Sequence, residues 1–158
     1  MWDPQNREPA NAGGAIIRIL LVDDHGPWRH FVLSMVNKTS RCAVVGEAAD
    51  GMEAVERGLE LKPDLMLIDI GLPKLSGIEV ARRLGEMLPG TKIIFLTQNS
   101  DQDLMAHCLE NGAMGYVLKA DAGSELLPAI EAVIEGTRYI SQRMKRSVSR
   151  FFAPPTSG

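Results

Sequence analysis

Five polar residues follow apolar segments of the chain and together could carry out phosphoryl chemistry. They are Asp23, Asp24, Asp69, Thr97 and Lys119. Three carboxylates held close together repel one another by about 1–4 kcal/mol per pair at surface-like dielectric constants, so they need a compensating cation. Lys119 supplies one positive charge, and a hard divalent ion that keeps several waters, such as Mg²⁺, suits the remaining oxygen ligands. A metal, an ammonium and a hydroxyl around one carboxylate indicate phosphoryl transfer to an aspartate.

Each of these residues also has an ordinary explanation when it is taken alone. An aspartate after a strand commonly forms a turn or caps a helix, threonine suits a strand, and a single lysine is usually a solvated charge. The combination is harder to explain in this way, because four strand ends would carry polar residues at one edge while the strands themselves stay apolar. We therefore interpret the group as one site.

The site can form only if the apolar segments lie side by side in a parallel sheet. These segments cover residues 16–22, 42–48, 65–70, 93–96 and 115–118. The third and fourth are apolar without alternation, which is typical of strands buried on both faces. Helical spacing follows each segment, so the pattern predicts an α/β protein with a (βα)₅ doubly wound parallel five-stranded sheet. Ligands of such sheets bind at the carboxyl ends of the strands.

Capping residues predict where the helices begin. Ser76 with Glu79 forms a capping box before one helix, and Ser100 is expected to open the next. The last helix should run over about residues 124–135. Ser124 is then its N-cap, which would place Pro128 within the first turn, where the missing N–H costs nothing.

Length and composition favour one domain in a reducing, cytoplasmic setting. The 158 residues are 45% hydrophobic, which is enough for one sizeable core. No apolar run is long enough to span a membrane, and the first residues lack the apolar region of a secretory signal. The two cysteines, Cys42 and Cys108, form no C-x-x-C pattern, so neither a disulfide framework nor a zinc site is indicated.

The chain divides into three parts. We expect a flexible N-terminal arm over residues 1–15, a folded domain over 16–137 and a basic tail over 138–158. The tail carries five of the 17 basic residues and none of the 20 acidic ones, so the domain itself is acidic and we expect no direct DNA contact from this chain. The apolar spacing from Ile140 through Met144 and Val148 to Phe151 predicts an amphipathic helix in the tail.

Several motifs resemble the receiver domain of bacterial two-component response regulators. The matching segments are LLVDDH at 20–25, DLMLIDIGLP at 64–73, Gly77, Thr97 and GYVLK at 115–119. The D-D-H start and the ending GTRYIS at 136–141 resemble the subgroup that is usually fused to a LuxR-type helix-turn-helix. The resemblance covers about residues 16–137 and implies a flavodoxin-like receiver fold.

The resemblance also implies a role for each site residue. Asp69 would accept the phosphoryl group from a sensor histidine kinase or a phosphotransfer protein. Asp24, Asp69 and the backbone carbonyl of Gly71 would bind Mg²⁺ directly, and Asp23 would act through a water. Lys119 and Thr97 would contact the phosphoryl oxygens.

The switch implied by the resemblance begins at Thr97. Movement of Thr97 would let Tyr116 change rotamer and alter the surface of the fourth helix, fifth strand and fifth helix, with a homodimer as the expected active form. Gln98 stands where a small residue is usual and Ala120 where a proline is frequent. Gly71 offers no side chain at its position, whereas Asn99 could orient a water, so the phosphorylated state could be either long-lived or short-lived.

The leading hypothesis is a phosphorylated switch that controls transcription and is not an enzyme acting on other molecules. A stand-alone receiver that serves as a phosphate sink or an interaction module is the first alternative. A phosphatase with an aspartate nucleophile is a distant one, because it needs a D-x-D pattern after the first strand. The tail fits a chain cut at the linker before an effector domain, a natural stand-alone receiver, or a helix that docks a partner or a membrane surface.

Overall fold

Strands and helices alternate along residues 15–145, which are the residues that the computed structural model describes. The strands are β1 (Ile17–Val22), β2 (Cys42–Ala48), β3 (Leu65–Ile68), β4 (Lys92–Thr97), β5 (Gly115–Leu118) and β6 (Tyr139–Ile140). The helices are α1 (Gly26–Val36), α2 (Gly51–Leu61), α3 (Gly77–Met87), α4 (Gln102–Glu110) and α5 (Ala122–Ile134). A short 3₁₀ turn, Lys119–Asp121, joins β5 to α5.

The strands form one parallel sheet in the order β2-β1-β3-β4-β5-β6. This arrangement confirms the predicted doubly wound α/β fold. The direction in which successive strands are added reverses between β1 and β3, and such a reversal opens a crevice at the carboxyl ends of the strands. The fold therefore offers a binding position where β1 and β3 end.

Helices cover both faces of the sheet and produce two hydrophobic cores. One core joins the sheet to α2, α3 and α4, and the other joins it to α1 and α5. All four residues of β3 are buried, which explains why its sequence shows no alternation of apolar and polar residues. Within residues 15–145, no helix combines the length and the apolar character needed to cross a bilayer.

Within residues 15–145 the sheet has six strands, one more than the five that the sequence predicted. Gly136 has a φ of +93°, a left-handed conformation that favours glycine, and it turns the chain after α5. Tyr139 then donates its N–H to the carbonyl of Met114 at 2.9 Å, and Ser141 donates its N–H to the carbonyl of Tyr116 at 2.9 Å. These bonds pair the segment with β5 and extend the sheet beyond residue 137.

The prediction that the tail helix begins at Ile140 is wrong. Ile140 lies in β6, and helix begins only at residue 142. Ile140 and Met144 are both buried in the same core, so their spacing records a strand followed by a helical turn. The rest of that predicted helix, with Val148 and Phe151, lies outside the described residues, as does nearly all of the N-terminal arm.

Two helices begin where the sequence did not indicate. Asp101, and not Ser100, caps α4, because its carboxylate accepts the N–H groups of residues 103 and 104 at 2.8 and 3.2 Å. Helix α5 begins at Ala122, so Ser124 is not its cap and Pro128 lies beyond the first turn. The capping box of α3 is as predicted, with Ser76 accepting the N–H of Glu79 at 3.2 Å.

A buried polar network fixes the segment that follows β6. The hydroxyl of Ser141 accepts the N–H of Leu118 at 2.8 Å and donates to the Glu125 carboxylate at 2.6 Å. The other oxygen of Glu125 accepts the N–H of Gln142 at 3.0 Å. Ser141 and Glu125 are both buried, so water cannot reach their polar atoms and these bonds satisfy them instead. The network therefore sets one position for residue 142 against β5 and α5.

The Ser141→Ala substitution should lower the free energy of unfolding by about 1–3 kcal/mol, because it leaves the Leu118 N–H and a Glu125 oxygen buried without partners. Urea unfolding measures this loss. Ser124→Ala is the matched control, since the Ser124 hydroxyl is exposed and only reaches the Asp121 carbonyl at 3.3 Å. Its effect should stay within about 0.5 kcal/mol, and equal losses in the two variants would contradict the assigned network.

Candidate functional site

The ends of β1 and β3 place two aspartates side by side. The N–H of Asp23 donates to the carbonyl of Ala48 at 3.0 Å, and the N–H of Asp69 donates to the carbonyl of Val22 at 3.0 Å. Each bond continues the ladder of a parallel strand pair by one residue. The main chain of the sheet therefore holds both residues at the crevice.

Gly77 closes the loop behind Asp69. Its N–H donates to the carbonyl of Ile70 at 2.8 Å, which brings the start of α3 against the end of β3. A Cβ atom at residue 77 would lie only 2.3 Å from the carbonyl oxygen of Asp69. Any other residue would displace the backbone that carries Asp69, so a glycine is required here.

Three carboxylates converge at the crevice. One oxygen each of Asp23, Asp24 and Asp69 lies within 4.8 Å of the others. Asp23 is buried, Asp69 is half-buried and Asp24 is exposed. Such an oxygen-only set, open to water on one side, fits a hard divalent cation that keeps part of its hydration shell.

Among the residues that the structure describes, Lys119 places a positive charge beside these carboxylates. Its ammonium lies 2.6 Å from Oδ2 of Asp23 and 3.9 Å from Oδ2 of Asp69. The Lys119 side chain is only 11% exposed, so its charge is poorly screened by solvent. In the strand order of this sheet, the side chain reaches from the end of β5 past the ends of β4 and β3 to the residue that follows β1.

The electrostatic environment raises the pKa of the Asp69 carboxyl group above its ordinary value. Burial is the largest cause, and the neighbouring charges of Asp23 and Asp24 act in the same direction. The Lys119 ammonium and the backbone N–H of Gly71 oppose this effect by stabilising the carboxylate. A cation placed among the three carboxylates would therefore offset a repulsion that the protein compensates only in part.

Thr97 and Tyr116 lie on the β4 and β5 side of the site. Thr97 is buried, and its hydroxyl accepts the N–H of Asn99 at 3.0 Å. Tyr116 is buried as well, and its hydroxyl donates to the carbonyl of Asn99 at 2.6 Å. Burial raises the pKa of the Tyr116 hydroxyl, so it stays a donor at neutral pH. The main chain at residue 99 thus connects the two side chains.

An open cleft of about 450 Å³ lies at these strand ends. Its walls include the three aspartates, Thr97 and Lys119, together with His25, Gly71, Gln98 and Asn99. Tyr116 is the one proposed switch residue that does not line the cleft. The structure therefore brings the other site residues from the sequence analysis to one cavity, whereas Tyr116 is buried and is not part of its lining.

Sequence reasoning gave no structural role to one residue of this site, Trp28. The Lys119 ammonium lies over the Trp28 ring, 5.1 Å from its centroid. Nothing in the spacing of the sequence indicates this contact, because it depends on the rotation of α1 about its axis and on the direction of a lysine side chain from β5. The position of Trp28 four residues after Asp24 is the only sequence signal.

Comparison with known proteins identifies similar chains. Residues 19–131 match the family model described as the response regulator receiver domain. The oxygen regulatory protein NreC of Staphylococcus aureus is 35% identical over 137 residues, which cover 86% of this chain and 63% of that protein. The chain therefore spans less than two thirds of the length of this curated relative.

Solved structures show the same fold. A LuxR-family two-component response regulator from Aurantimonas sp. SI85-9A1 superposes with a TM-score of 0.83 at 32% identity, over 89% of this chain and all of that one. The receiver domain of the putative response regulator NarL from Mycobacterium tuberculosis superposes with a TM-score of 0.74 at 27% identity. That match covers 78% of this chain and 99% of the NarL domain.

The raised pKa of Asp69 predicts how stability depends on pH in the metal-free protein. The folded state keeps the Asp69 proton to a higher pH than the unfolded state, so stability is lost as the pH rises from the ordinary carboxyl pKa through the raised one. Asp69→Asn removes this loss. We expect the variant to be more stable than the parent at pH 7 in EDTA, and the difference to shrink below about pH 4.

Urea unfolding at the two pH values measures both effects. Asp103→Asn is the matched control, because it removes an exposed carboxylate outside the site, and its effect should be small at both pH values. A lower stability of Asp69→Asn at pH 7 would contradict the electrostatic strain assigned to Asp69.

Proposed function

Because the chain belongs to the response regulator receiver domain family, we propose that it is a phosphoacceptor of a two-component system and that Asp69 receives the phosphoryl group. The observation that carries this proposal is the placement of the Lys119 ammonium within 4 Å of both Asp23 and Asp69, in a cleft that also holds Asp24. A carboxylate nucleophile beside a fixed cation is the arrangement that phosphoryl transfer uses.

The transfer step assigns a task to each side chain. A carboxylate oxygen of Asp69 attacks the phosphorus of a phosphohistidine, the new O–P bond forms, and the P–N bond breaks. The imidazole of the donor leaves with the electron pair of that bond and takes up a proton. Lys119 neutralises the negative charge on the transferred group, and the Thr97 hydroxyl, which lines the same cleft, donates a hydrogen bond to one of its oxygens.

The three carboxylates fit Mg²⁺, and we assign Asp24 and Asp69, with the carbonyl of Gly71, as its direct ligands. Both oxygens of Asp23 already have protein partners, the His25 N–H at 2.8 Å and the Lys119 ammonium at 2.6 Å. This engagement favours contact of Asp23 with the ion through a water. When bound, the ion supplies charge neutralisation for the phosphoryl oxygens.

The output of phosphorylation is a population shift at the α4, β5 and α5 surface. A phosphoryl group on Asp69 carries up to about two negative charges at the end of β3, and it attracts the Thr97 hydroxyl at the end of β4. The Thr97 hydroxyl now accepts a bond from Asn99, so its movement toward the phosphate changes the loop to which Tyr116 is bonded. Tyr116 and the adjacent α4 surface then favour a second arrangement.

The partners follow from this role. A sensor histidine kinase or a phosphotransfer protein supplies the phosphate, and the active receiver forms a homodimer in the cytoplasm. The transcriptional output belongs to the proposal as well, because LuxR-family response regulators are similar in fold and sequence. We assign no catalysis beyond the phosphorylation and dephosphorylation of Asp69 itself.

The central test is phosphorylation by a small donor. With Mg²⁺ and acetyl phosphate, the parent chain should gain the mass of one phosphoryl group, and the adduct should be lost in base. Asp69→Asn should gain nothing, because the amide is not a nucleophile. Asp103→Asn, which removes an exposed carboxylate, should react like the parent. Equal labelling of Asp69→Asn and the parent would reject Asp69 as the acceptor.

Replacement of the exposed Asp24 tests the metal assignment. Asp24→Ala should weaken Mg²⁺ binding by about tenfold or more, since the loss of outer-shell partners alone costs that much at metal sites. Titration by Trp28 fluorescence in a Trp2→Phe background measures the affinity, because Trp28 contacts Lys119 at the edge of the site. Without metal the unfolding free energy should not fall, because Asp24 is exposed and its charge adds to the repulsion at Asp69. Unaltered Mg²⁺ affinity would remove Asp24 from the ligand set.

A further inference from the structure

We propose that Trp28 is a positioning residue for phosphoryl transfer, because its ring holds the Lys119 ammonium between Asp23 and Asp69 by a cation–π interaction. This inference rests on the function proposed for Asp69 and adds to it a residue on α1. The centroid distance of 5.1 Å is within the range of such interactions, which are stronger where the cation is shielded from water. Lys119 is shielded in this way, with 11% of its side chain exposed.

The Lys119 ammonium is held in place by more than one contact. Oδ2 of Asp23 lies at 2.6 Å and Oδ2 of Asp69 at 3.9 Å, so the carboxylates attract the ammonium from the side of the crevice. The Trp28 ring gives it a third contact, from α1. A lysine side chain has four rotatable bonds, and a fixed ring limits the orientations that the ammonium would otherwise sample.

The surroundings of Trp28 indicate that packing, and not a hydrogen bond, sets the orientation of its ring. The indole N–H is buried and has no hydrogen-bond partner among the described residues, so no hydrogen bond orients the ring. Phe31 packs against it with a centroid distance of 5.2 Å and an angle of 38° between the planes. A buried donor without an acceptor costs free energy, and the contacts with Lys119 and Phe31 offset that cost.

A second cavity lies beside the cleft, and the Trp28 ring and Lys119 both form part of its wall. A pocket of about 480 Å³ beside the cleft is lined by Trp28, Lys119, Leu118 and Ala120, with Arg143 at its edge. Without the ring, Lys119 could turn from the carboxylates toward this space. Trp28 therefore acts on the reaction through Lys119 and touches neither Asp69 nor the transferred group.

Fluorinated tryptophans test the interaction without changing the shape of the side chain. Successive fluorination of the indole withdraws charge from the ring face and weakens cation binding. In the full chain with Trp2→Phe, we expect the rate of Asp69 phosphorylation by acetyl phosphate to fall step by step from tryptophan to the trifluorinated residue. A rate that does not depend on fluorination would overturn the proposal, because a purely steric role predicts no change.

Substitutions provide a second readout. Trp28→Leu should slow phosphorylation about three- to tenfold, and Trp28→Phe, which keeps an aromatic face, should recover most of the rate. His30→Leu is the matched control, since it removes an exposed ring from the same helix at a position that does not share the face of Trp28, and it should keep the rate within about twofold. Equal rates for Trp28→Leu and the parent would contradict the assignment.

Nuclear magnetic resonance separates this proposal from the proposed function. In the parent chain, the ring current of Trp28 should shift the ε-methylene protons of Lys119 upfield, and Trp28→Leu should abolish that shift without any phosphate donor. If the shift is present but Asp69 is not phosphorylated, the proposed function fails while the contact stands. If the parent is phosphorylated but shows no such shift, the role of Trp28 is refuted and the function stands.

Discussion

The repulsion among three carboxylates at the ends of β1 and β3 is the constraint on which this structure depends. Asp23, Asp24 and Asp69 lie within 4.8 Å of one another, and burial adds to the cost of ionising Asp69. Lys119 meets that cost in part, because its ammonium reaches Asp23 and Asp69 from the turn that follows β5. The strand order is essential to this contact, because it places β5 only two strands from β3 with every carboxyl end at the same edge.

The two sides of the site are built differently. On the β3 side, the start of α3 packs against the main chain of Asp69 so closely that only glycine fits at residue 77. On the β4 side, Thr97 and Tyr116 are joined through hydrogen bonds to one loop residue, Asn99. The main chain of Asp69 is therefore tightly held, whereas the contacts of Thr97 and Tyr116 can be exchanged. This division would suit the function proposed above, in which one side of the site reacts and the other reports the reaction.

Much of the fold could be predicted because its determinants are local. Continuous apolar runs indicated buried parallel strands, and polar residues at four strand ends indicated the crevice. The sixth strand could not be predicted in this way. Its two residues pair with β5 only because Gly136 turns the chain. Ile140 and Met144 have the spacing of residues on one helix face, although Ile140 lies in an extended strand. The Trp28 contact was equally hidden, since it depends on how a side chain from β5 meets a helix that begins almost a hundred residues earlier in the chain.

The hydrogen bond of the Tyr116 hydroxyl has a consequence for how this molecule can vary. Its acceptor is the carbonyl of Asn99, a main-chain atom that every amino acid possesses. No substitution at residue 99 can delete that acceptor, whereas a displacement of the loop backbone removes it at once. The Tyr116 hydrogen bond therefore depends on the position of the loop backbone and not on the side chain at residue 99. Side chains of the cleft wall can therefore be substituted without loss of the Tyr116 hydrogen bond, provided that the loop backbone keeps its position.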